Sequence, residues 1–575
     1  MRHATIKLVL MLLCACTLLC ACTPGSGPSG IPPRDTTEPV ESIPDSEQTT
    51  TQQEEQTTEG ETDMIINTDM IINTATIYPV SYEGIEKTKY LSQFISEVDN
   101  ADGSHNNNAL VRGVIISPYF TVKVNGQEVP CYSVRTSRGA HSFIQVDVTD
   151  ESFPLSVEVA AKFDADGYNV LPLSYGVNAK VNGKDIFAEI ASCGNYTFVP
   201  DDDIKHALTV FVRAKEEYTA PAGYEVIRIA PGVHSEPIVF TAEKQVLYFE
   251  AGVHEMPYAI NFKSNTEVYF EPGAHIIATM PDPAVEAPIM QTDWAGMTRW
   301  RALFQGQYVS NVRISGRGFI DLTKLDWHAR SHIQFDSCTD ITVEGLTLNN
   351  AAEWTLYFTQ SKNIVVNEVL LFGYRQNSDG IAIVDSANAL VKNCFARAGD
   401  DLFEVKSMYA YCNIKIENIV FENNNAWPDK CRGMGIIYES QRDMTDIHFI
   451  GGSVAFAPAD WMDDLGALIV FLHDKATLSN ITFEGIEVYS SVKYPINVSL
   501  DEDSTAQIMD VTFKDITIYC DTELKIENRS TQGGKIHSVK IIDCTRGGKI
   551  CNTQSDLKLK LKGVSADVIT YGTKK

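Results

Sequence analysis

The pattern of apolar and polar residues changes along the chain. Between residues 78 and 220, the two types alternate in short runs, such as residues 120–124 and 143–148, and Asn-Gly turns separate several of the runs. Alternation with a period of two is typical of strands with one buried face, and Asn-Gly favours tight hairpins. The pattern predicts an antiparallel β-sandwich over residues 78–220, with a structural or carbohydrate-contacting accessory role.

From residue 221 onward the chain repeats itself. An apolar residue followed by a Gly-x-His turn recurs about every 20 residues up to residue 275. Farther on, Asn, Asp or Ser before an alternating apolar run recurs every 23 to 34 residues, without a helical apolar pattern between the runs. Coils that bury their apolar side chains only by stacking form solenoids. We predict an all-β protein in which a right-handed, single-stranded parallel β-helix over residues 221–575 follows the sandwich.

The Asn and Asp residues at the start of these runs invite a structural interpretation. Stacked coils lie roughly 4.8 Å apart, so equivalent turn residues of successive coils come into contact. We expect these residues to form hydrogen-bonded stacks that satisfy buried backbone groups, and we assign them no catalytic role.

The first residues have the features of an export signal. Arg2 and Lys7 precede an apolar run over residues 8–19, which is shorter than the roughly 20 residues of a transmembrane helix. The run ends in Leu19-Cys20-Ala21-Cys22, which resembles the lipobox of bacterial lipoproteins. The resemblance implies a lipoprotein signal peptide over residues 1–22 with Cys22 as the acylated anchor. Cys16 is a competing site, and an ordinary signal peptide is the alternative.

Composition and net charge limit the classes of partner that the protein can bind. Residues 23–77 are rich in Thr, Glu, Pro and Ser, which favours a disordered tether. The net charge of −28 argues against nucleic acid and anionic lipid as partners. We therefore expect an exported, cell-surface lipoprotein of a bacterial envelope that contacts the membrane through its lipid anchor only and is a monomer. No cysteine spacing indicates a metal site and no glycine loop indicates a phosphate site, so we expect no cofactor.

Three aspartates carry the candidate chemistry. Asp379 lies in Asn377-Ser378-Asp379-Gly380, and Asp400 and Asp401 follow Gly399, with 21 residues between Asp379 and Asp400. If this interval is one coil, the three carboxylates converge on one patch of the surface. Close like charges raise at least one pKa, so a protonated acid coexists with an ionised base near neutral pH. Hydrolysis of a glycosidic bond requires such a pair.

This passage resembles the polygalacturonase family of glycoside hydrolases. The matching motifs are Asn377-Ser378-Asp379-Gly380, Gly399-Asp400-Asp401, Val405-Lys406-Ser407 and the upstream segment 314–321. The resemblance implies an inverting mechanism in which Asp400 is the general acid, while Asp379 and Asp401 hold and deprotonate the attacking water. In inverting enzymes, acid and base are roughly 6.5 to 9.5 Å apart.

The sequence also departs from that family. The histidine of its Gly-His-Gly turn is absent near residues 432–436, and the cationic strand that would hold a galacturonate carboxylate is absent near residues 468–473. The dextranase and isopullulanase family offers a second resemblance, since it combines a β-sandwich, the β-helix and three aspartates and acts on neutral α-glucans. The residues proposed to bind substrate are Asn377, Lys406, Arg432, Tyr438 and Arg442. Arg432 and Arg442 are either a replacement cationic clamp or ordinary turn arginines.

Three functions remain open on this evidence. The first is an inverting glycosidase that cleaves an α-glucan or a pectic polysaccharide, with Trp354, Trp427 and Trp461 as aromatic residues that could stack on sugars. Elimination of the pectate-lyase type needs a calcium-binding acid cluster and an arginine base, and the carboxylates match the hydrolase pattern instead. The non-enzymatic alternative is a cell-surface glycan-binding β-helix protein.

Overall fold

The computed structural model describes residues 70–72, 113–201, 206–293, 295–459 and 461–572. The predicted anchor Cys22, its competitor Cys16 and residues 23–69 of the predicted tether lie outside these ranges. The described part of the chain contains no helix with the length and apolar character of a membrane span. Its regular structure consists of β-strands and three short 3₁₀ helices, Asp150–Ser152, Leu173–Tyr175 and Ala566–Val568.

Two sheets form a sandwich in the amino-terminal part. The seven-stranded sheet contains strands Met70–Ile72, Ile115–Ile116, Tyr132–Thr136, Gly139–Val148, Tyr168–Leu171, Gly194–Pro200 and His206–Ala214. The five-stranded sheet contains strands Phe120–Val124, Gln127–Val129, Leu155–Ala161, Lys180–Asn182 and Asp185–Ile190. Neighbouring strands are antiparallel except His206–Ala214, which pairs in parallel with Gly139–Val148. The predicted alternation is clear in Phe120–Val124, where every second residue is buried.

Three parallel sheets form the rest of the described chain. The first sheet contains strands Glu225–Ile229, Gln245–Phe249, Thr266–Phe270, Ser310–Gly316, Thr339–Glu344, Lys362–Asn367, Ala387–Lys392, Ile419–Glu422, Met444–Ile450, Thr477–Glu484, Gln507–Ile508, Val511–Lys514, Lys535–Ile536, Val539–Ile542 and Ile569–Gly572. The second sheet contains strands Gly232–Val233, Gly252–Met256, Ala274–Ala278, Phe319–Asp321, Thr347–Asn349, Leu370–Phe372, Phe395–Ala398, Asn425–Pro428, Ser453–Ala457, Glu487–Ser491, Thr517–Ile518, Thr545–Arg546 and Lys549–Ile550. The third sheet contains strands Ile260–Asn261, Phe304–Gln307, Ile333–Asp336, Leu356–Thr359, Ile381–Val384, Phe403–Ser407, Met434–Ser440, Leu468–Leu472, Ile496–Leu500, Leu524–Asn528 and Leu559–Lys562.

The chain visits the three sheets in turn and pairs its strands in parallel with their equivalents in the next coil, which is the topology of a parallel β-helix. The exception is Lys549–Ile550, which pairs antiparallel with Thr545–Arg546 at the end of the second sheet. The interior is built from identical residues stacked along the axis. The rings of Phe421, Phe449, Phe483 and Phe513 follow one another at centroid distances of 4.8, 4.7 and 4.9 Å. These distances equal the spacing between neighbouring strands. The predicted all-β fold of a sandwich followed by a parallel β-helix is confirmed.

The predicted stacks of turn residues are also present. The amide nitrogen of Asn363 donates to Asp340 at 2.8 Å, that of Asn388 to Asn363 at 3.1 Å, and that of Asn418 to Asn388 at 3.2 Å. These residues have left-handed backbones with φ between 54° and 58°, a conformation that Asn and Asp tolerate better than other residues. The expected partner was wrong, because the side chains are exposed and bond to one another instead of to buried backbone groups.

The sandwich packs directly on the β-helix. Strand Gly139–Val148 is buried at all ten positions because one face of the seven-stranded sheet covers the five-stranded sheet and the other covers the second sheet. Phe143 lies parallel to Phe319 and Phe372, with ring centroids 6.4 and 5.2 Å away. The ion pair between Arg317 and Asp147, at 2.8 Å, is buried in the same contact. The two parts therefore share one interior.

Candidate active site

Neighbouring strands of the third sheet bring the three predicted aspartates together. Ile381 pairs with Phe403 in the parallel register, so Asp379 and Asp401, each two residues earlier, are stacked in adjacent coils. The backbone N–H of Gly380 donates to the carbonyl oxygen of Asp401 at 2.8 Å and fixes this register at the turn. Asp379 and Asp401 are buried, whereas Asp400 is partly exposed.

The carboxyl groups of the site lie close together. One oxygen each of Asp379, Asp401 and Glu404 lie within 4.8 Å of one another, and so do oxygens of Asp400 and Asp401 and the Cys431 sulfur. The range of roughly 6.5 to 9.5 Å describes the separation between the acid and the base that activates the water in an inverting enzyme. For Asp400 and the bases Asp379 and Asp401, this separation stays a prediction.

Lys406 is the cation at the centre of this cluster. Its Nζ is 2.9 Å from Glu404, 3.3 Å from Asp379, 3.7 Å from Glu439 and 3.8 Å from Asp401. The ammonium group also lies 4.8 Å from the centre of the Trp354 ring, a cation–π contact. Burial lowers the pKa of Lys406, but the surrounding carboxylates outweigh it and raise the pKa well above its ordinary value. Lys406 therefore stays charged and partly neutralises the buried acids.

Arg432 is committed to Asp401. Its Nη1 donates to both carboxylate oxygens of Asp401 at 3.0 and 3.2 Å, and its backbone N–H donates to Oδ1 at 3.1 Å. Nε donates to the carbonyl oxygen of Asp464 at 2.7 Å. Charge-assisted bonds of this kind favour the ionised carboxylate and fix its orientation. Arg432 belongs to the site, but its guanidinium group already has a partner.

Asn377 contributes its backbone to the site. Its N–H donates to Oδ2 of Asp400 at 3.0 Å, while the other oxygen of Asp400 accepts the N–H of Asp401 at 3.0 Å. Asn377 has a left-handed backbone with φ of 57°, which turns this N–H toward the next coil. The carboxyl group of Asp400 is thereby held at the edge of the cluster where it is open to solvent.

Burial makes several of these acids hold protons. Burial is the main cause that raises the pKa of Asp379, and the charge of Asp400 adds to it. Burial also raises the pKa of Asp400, with a further contribution from Asp401. The pKa of Glu404 rises from 4.5 to about 8 because the side chain is buried, although Lys406 partly opposes the rise. The cluster as a whole therefore contains protonated and ionised carboxyl groups together near neutral pH.

A bulge opposite Lys406 shapes one wall of the site. Val405 pairs with Ile436 and Ser407 pairs with Ser440, so extra residues on the second strand oppose Lys406 alone. Tyr438 lies in this bulge with φ of 64°, an unfavourable conformation for a bulky residue. Its ring stacks on His473 at 4.7 Å, and the adjacent Glu439 reaches Lys406. Bulges commonly redirect side chains next to functional sites.

Two residues considered in the sequence lie elsewhere. The guanidinium group of Arg442 bonds to Asp385 at 3.2 Å and to the carbonyl oxygens of Cys412 and Ile414, so it holds backbone and does not contact the three aspartates. This placement favours a structural role over the predicted substrate binding. Trp427 is fully buried beneath the sandwich, 4.2 Å from the guanidinium carbon of Arg397, and is closed to sugars. Trp461 is 64% exposed, and its Nε1–H donates to the carbonyl oxygen of Lys430 at 2.8 Å.

Sequence reasoning missed the roles of Glu404, Glu439 and Cys431. A signal for Glu404 exists, because Glu404 and Lys406 flank the core residue Val405 and a strand directs alternate side chains to the same face. Glu439 had no such signal, since its direction depends on the bulge. Cys431 had no signal in its spacing, and its side chain hydrogen-bonds to Asp400.

The acid groups could in principle hold a cation. Asp379, Asp401 and Glu404 converge closely enough, as do Asp400, Asp401 and Cys431. Lys406 contacts all three acids of the first set, and Arg432 contacts Asp401, which is common to both sets. Side-chain cations therefore already take the place that a metal ion would need.

Comparisons with known proteins bear on the family resemblance of the chain. A probable polygalacturonase of Vitis vinifera is 28% identical over 127 residues, which are 20% of this chain and 26% of that protein. A polygalacturonase of Cryptomeria japonica is 23% identical over 282 residues, which are 46% of this chain and 49% of that protein. The chain spans less than two thirds of the length of the first curated relatives that it matches.

Among solved structures, Dex49A from Penicillium minioluteum has a TM-score of 0.50 at 13% identity and covers 80% of this chain and 95% of that chain. This likeness concerns the fold. The family model described as Glycosyl hydrolases family 28 matches residues 259–425. The match confirms the resemblance carried by the two aspartate turns. Over the segment that contains Asp379, Asp400 and Asp401, the chain is similar to the glycosyl hydrolases of family 28.

Proposed function

We propose that this protein is an extracellular glycoside hydrolase that cleaves a polysaccharide with inversion at the anomeric carbon. The observation that carries the proposal is the arrangement of a partly exposed Asp400 beside two buried aspartates, Asp379 and Asp401, each held by a cation. A protonated acid in contact with solvent and an ionised carboxylate behind it are the groups that acid–base cleavage of a glycosidic bond needs.

The three aspartates have different roles in this proposal. Asp400 donates its proton to the leaving oxygen, because it is the aspartate that reaches the surface and its pKa is raised mainly by burial. Asp379, in the state in which Lys406 keeps it ionised, accepts a proton from the attacking water, and its Oδ1 has no hydrogen-bond partner among the described residues. Asp401 is fixed by Arg432 and helps to orient that water. Asp400 and the acceptor exchange protons with solvent after each turnover.

A neutral polysaccharide fits the charges of the site. The site contains five carboxyl groups, those of Asp379, Asp400, Asp401, Glu404 and Glu439. Lys406 and Arg432, the cations that contact these carboxylates, are already paired with them. A uronic acid needs a cationic partner for its carboxylate. An uncharged glucan does not, and the ring of Trp354 together with the exposed Trp461 offers surfaces for sugar stacking.

A pectic polysaccharide is the second candidate substrate. The observation in its favour is that curated relatives of the chain are polygalacturonases by name. The two candidates differ in the charge of the sugar, so one panel of substrates separates them. We also propose that Cys22 anchors the enzyme to the cell surface and that the following residues, up to residue 69, act as the tether, because Met70–Ile72 of the predicted tether instead form a strand of the sandwich.

The test compares Asp400→Asn with wild type on dextran, pullulan, other α-glucans and polygalacturonate, by release of reducing ends. We expect wild type to cleave a neutral glucan and Asp400→Asn to lose about 100- to 10,000-fold in kcat, as for loss of a general acid. Asp321→Asn is the matched control, because Asp321 is also a buried aspartate with a pKa raised by burial. Its carboxylate accepts hydrogen bonds from Thr323 and Asn349, outside the cluster of catalytic acids. Glycan binding without any cleavage by wild type would refute the proposal in favour of the adhesin.

A further inference from the structure

A buried Asp–His pair lies beside the turn that precedes Asp379. Oδ2 of Asp293 and Nδ1 of His328 are 2.6 Å apart, and the side chains are 0% and 1% exposed. Neither residue takes part in the proposed chemistry. His328 has a left-handed backbone with φ of 66°, a conformation that is uncommon outside glycine and costs free energy. The contacts that the ring makes with the surrounding residues must offset this cost in free energy.

The other side of the imidazole faces the catalytic turn. Nε2 of His328 is 3.3 Å from Oδ1 of Asn377, and the backbone N–H of Asn377 donates to Asp400 at 3.0 Å. The preceding residue repeats this contact, since Nε1–H of Trp327 donates to the carbonyl oxygen of Gln376 at 3.0 Å. Trp327 and His328 of one coil thus contact Gln376 and Asn377 of the next turn, and the N–H of Asn377 is the donor to Asp400.

Asp293 is itself anchored as a carboxylate. Its Oδ1 accepts the backbone N–H groups of Ala295 at 2.8 Å and Met297 at 2.9 Å. Burial raises the pKa of Asp293, but the bonds from Met297, His328 and Ala295 outweigh it and lower the pKa below its ordinary value. An ionised Asp293 accepts a hydrogen bond from Nδ1–H and fixes the orientation of the ring, and Nε2 donates to Oδ1 of Asn377 when that nitrogen also carries a proton. This support has the logic of a carboxylate that orients a histidine.

We propose that His328, fixed by Asp293, is a positioning residue that holds the Asn377 turn against Asp400 and so sets the direction of the Asp400 carboxyl group. The proposal rests on the proposed function, because the direction of the Asp400 carboxyl group matters for catalysis only if this group protonates the leaving oxygen. A positioning role predicts that loss of His328 lowers the rate of the step that needs the acid and leaves substrate binding nearly unchanged.

Two conservative substitutions separate the two sides of the ring. An Asn side chain reaches the place of Nδ1 and keeps the contact with Asp293, whereas a Gln side chain reaches the place of Nε2 and keeps the contact with Asn377. His332→Gln is the matched control, since His332 is equally buried but bonds to the carbonyl oxygens of Ile320 and Asn349. All three variants are compared with wild type for thermal stability, so that a loss of fold is recognised.

The first measurement is kinetic. We expect His328→Asn to lower kcat on the cleaved polysaccharide by about 10- to 100-fold, the scale of a small misplacement of a reacting group, with KM within about twofold. The loss shrinks to about threefold or less on the glycosyl fluoride of the same sugar, because fluoride leaves with less help from an acid. His328→Gln retains more activity than His328→Asn. Equal losses for both variants on both substrates, matching His332→Gln, would overturn the proposal.

The second measurement does not depend on activity. The ¹³C signal of the Asp400 carboxyl group, assigned with Asp400→Asn, is titrated in wild type, His328→Asn and His332→Gln. Weakening the N–H donor of Asn377 disfavours the ionised form, so the midpoint moves upward by about half a pH unit in His328→Asn and not in His332→Gln. An unchanged midpoint contradicts the positioning role. If wild type cleaves no glycan, the proposed function fails while this titration still decides the placement of Asp400.

Discussion

Two cationic side chains influence which acids of the site are protonated and which are ionised. Lys406 lies within 4 Å of four carboxyl groups, and Arg432 donates to both oxygens of Asp401. Because two cations cannot neutralise five acids, three of which are buried, some of these acids retain protons near neutral pH. Burial, with a contribution from the charge of Asp401, raises the pKa of Asp400 and keeps it able to donate a proton.

Glu404 makes this excess measurable through stability. Its pKa is raised to about 8 in the folded protein from 4.5, so between these values the folded protein binds a proton that the unfolded chain releases. The free energy of unfolding then falls as pH rises from about 4.5 to about 8, by up to about 1.4 kcal/mol per pH unit. We expect Glu404→Gln to remove this loss, so that its stability relative to wild type increases from pH 5 to pH 8.

The measurement is urea unfolding at several pH values. Glu527→Gln is the control, because bonds from Lys525 and Lys562 outweigh burial and lower the pKa of Glu527, which places its titration below pH 5. A Glu404→Gln difference that is independent of pH over this range would show that Glu404 is ionised throughout.

Arg432 and Arg442 provide a second test at this scale. Arg432→Met leaves Asp401 buried without its partner and is expected to abolish measurable activity and cost about 3–5 kcal/mol of stability. Arg442→Met removes a guanidinium group from Asp385 and two carbonyl oxygens, so stability falls by about 1.5–3 kcal/mol. Its kcat stays within about threefold of wild type. Loss of substrate affinity in Arg442→Met would restore the role predicted from the sequence.

Turns and strands bring these side chains into contact. The parallel register stacks the turns before Ile381, Phe403 and Met434, which places Asp379, Asp401 and Arg432 in consecutive coils. The hairpin turn of the sandwich supports them, because Oγ of Ser137 donates to the carbonyl oxygen of Tyr374 at 2.7 Å and Nε of Arg138 donates to the carbonyl oxygen of Asp429 at 3.1 Å. The sandwich thus contacts the backbone just before two of these turns.

Gly399 tests how closely these turns must approach. A Cβ at this position would lie 2.2 Å from the carbonyl oxygen of Arg375 and 2.8 Å from Oγ of Ser137. Gly399→Ala must separate the coils or displace the hairpin, at a cost of about 1–3 kcal/mol and up to about 100-fold in kcat. Gly167→Ala is the control, since its Cβ meets nothing closer than 4.0 Å. Wild-type activity in Gly399→Ala would contradict the close packing of the catalytic turn.

The predictable part of the site is the part that period and register determine. An interval of about one coil between Asp379 and Asp400 suffices to predict that they converge, because equivalent turns of a β-helix stack. The bulge at Tyr438 breaks that register, so the contact of Glu439 with Lys406 follows from no spacing. The placement of Arg442 could not be predicted for a related reason. The direction of its side chain depends on a loop, in which the carbonyl oxygens of Cys412 and Ile414 accept its hydrogen bonds.

The whole molecule is more strongly integrated than its two sequence patterns indicate. Period-two alternation predicts one buried face for a sandwich strand, but Gly139–Val148 is buried on both faces by the five-stranded sheet and the β-helix. The sequence carries a trace of this contact in the apolar residues Phe319, Phe372 and Phe395, which face outward from the second sheet. The sequence alone could not show that the seven-stranded sheet of the sandwich packs on these residues.

A shared interior predicts joint unfolding. Phe143→Ala removes a ring that packs on Phe319 and Phe372 and is expected to cost about 3–5 kcal/mol. Hydrogen exchange should then accelerate together in strands of the sandwich and of the β-helix. The control is Phe187→Ala, because Phe187 is 42% exposed on the five-stranded sheet. Faster exchange confined to the sandwich would show that the two parts are energetically independent.

The measurement that tests the central claim most directly is the anomeric configuration of the first product, followed by ¹H NMR immediately after wild type is added to the polysaccharide that it cleaves. Water attack assisted by Asp379 and Asp401, with proton donation by Asp400, predicts a product of inverted configuration that later equilibrates by mutarotation. The result is decisive, because retention would require one of these carboxylates to attack the sugar as a nucleophile. A product of retained configuration would contradict the mechanism.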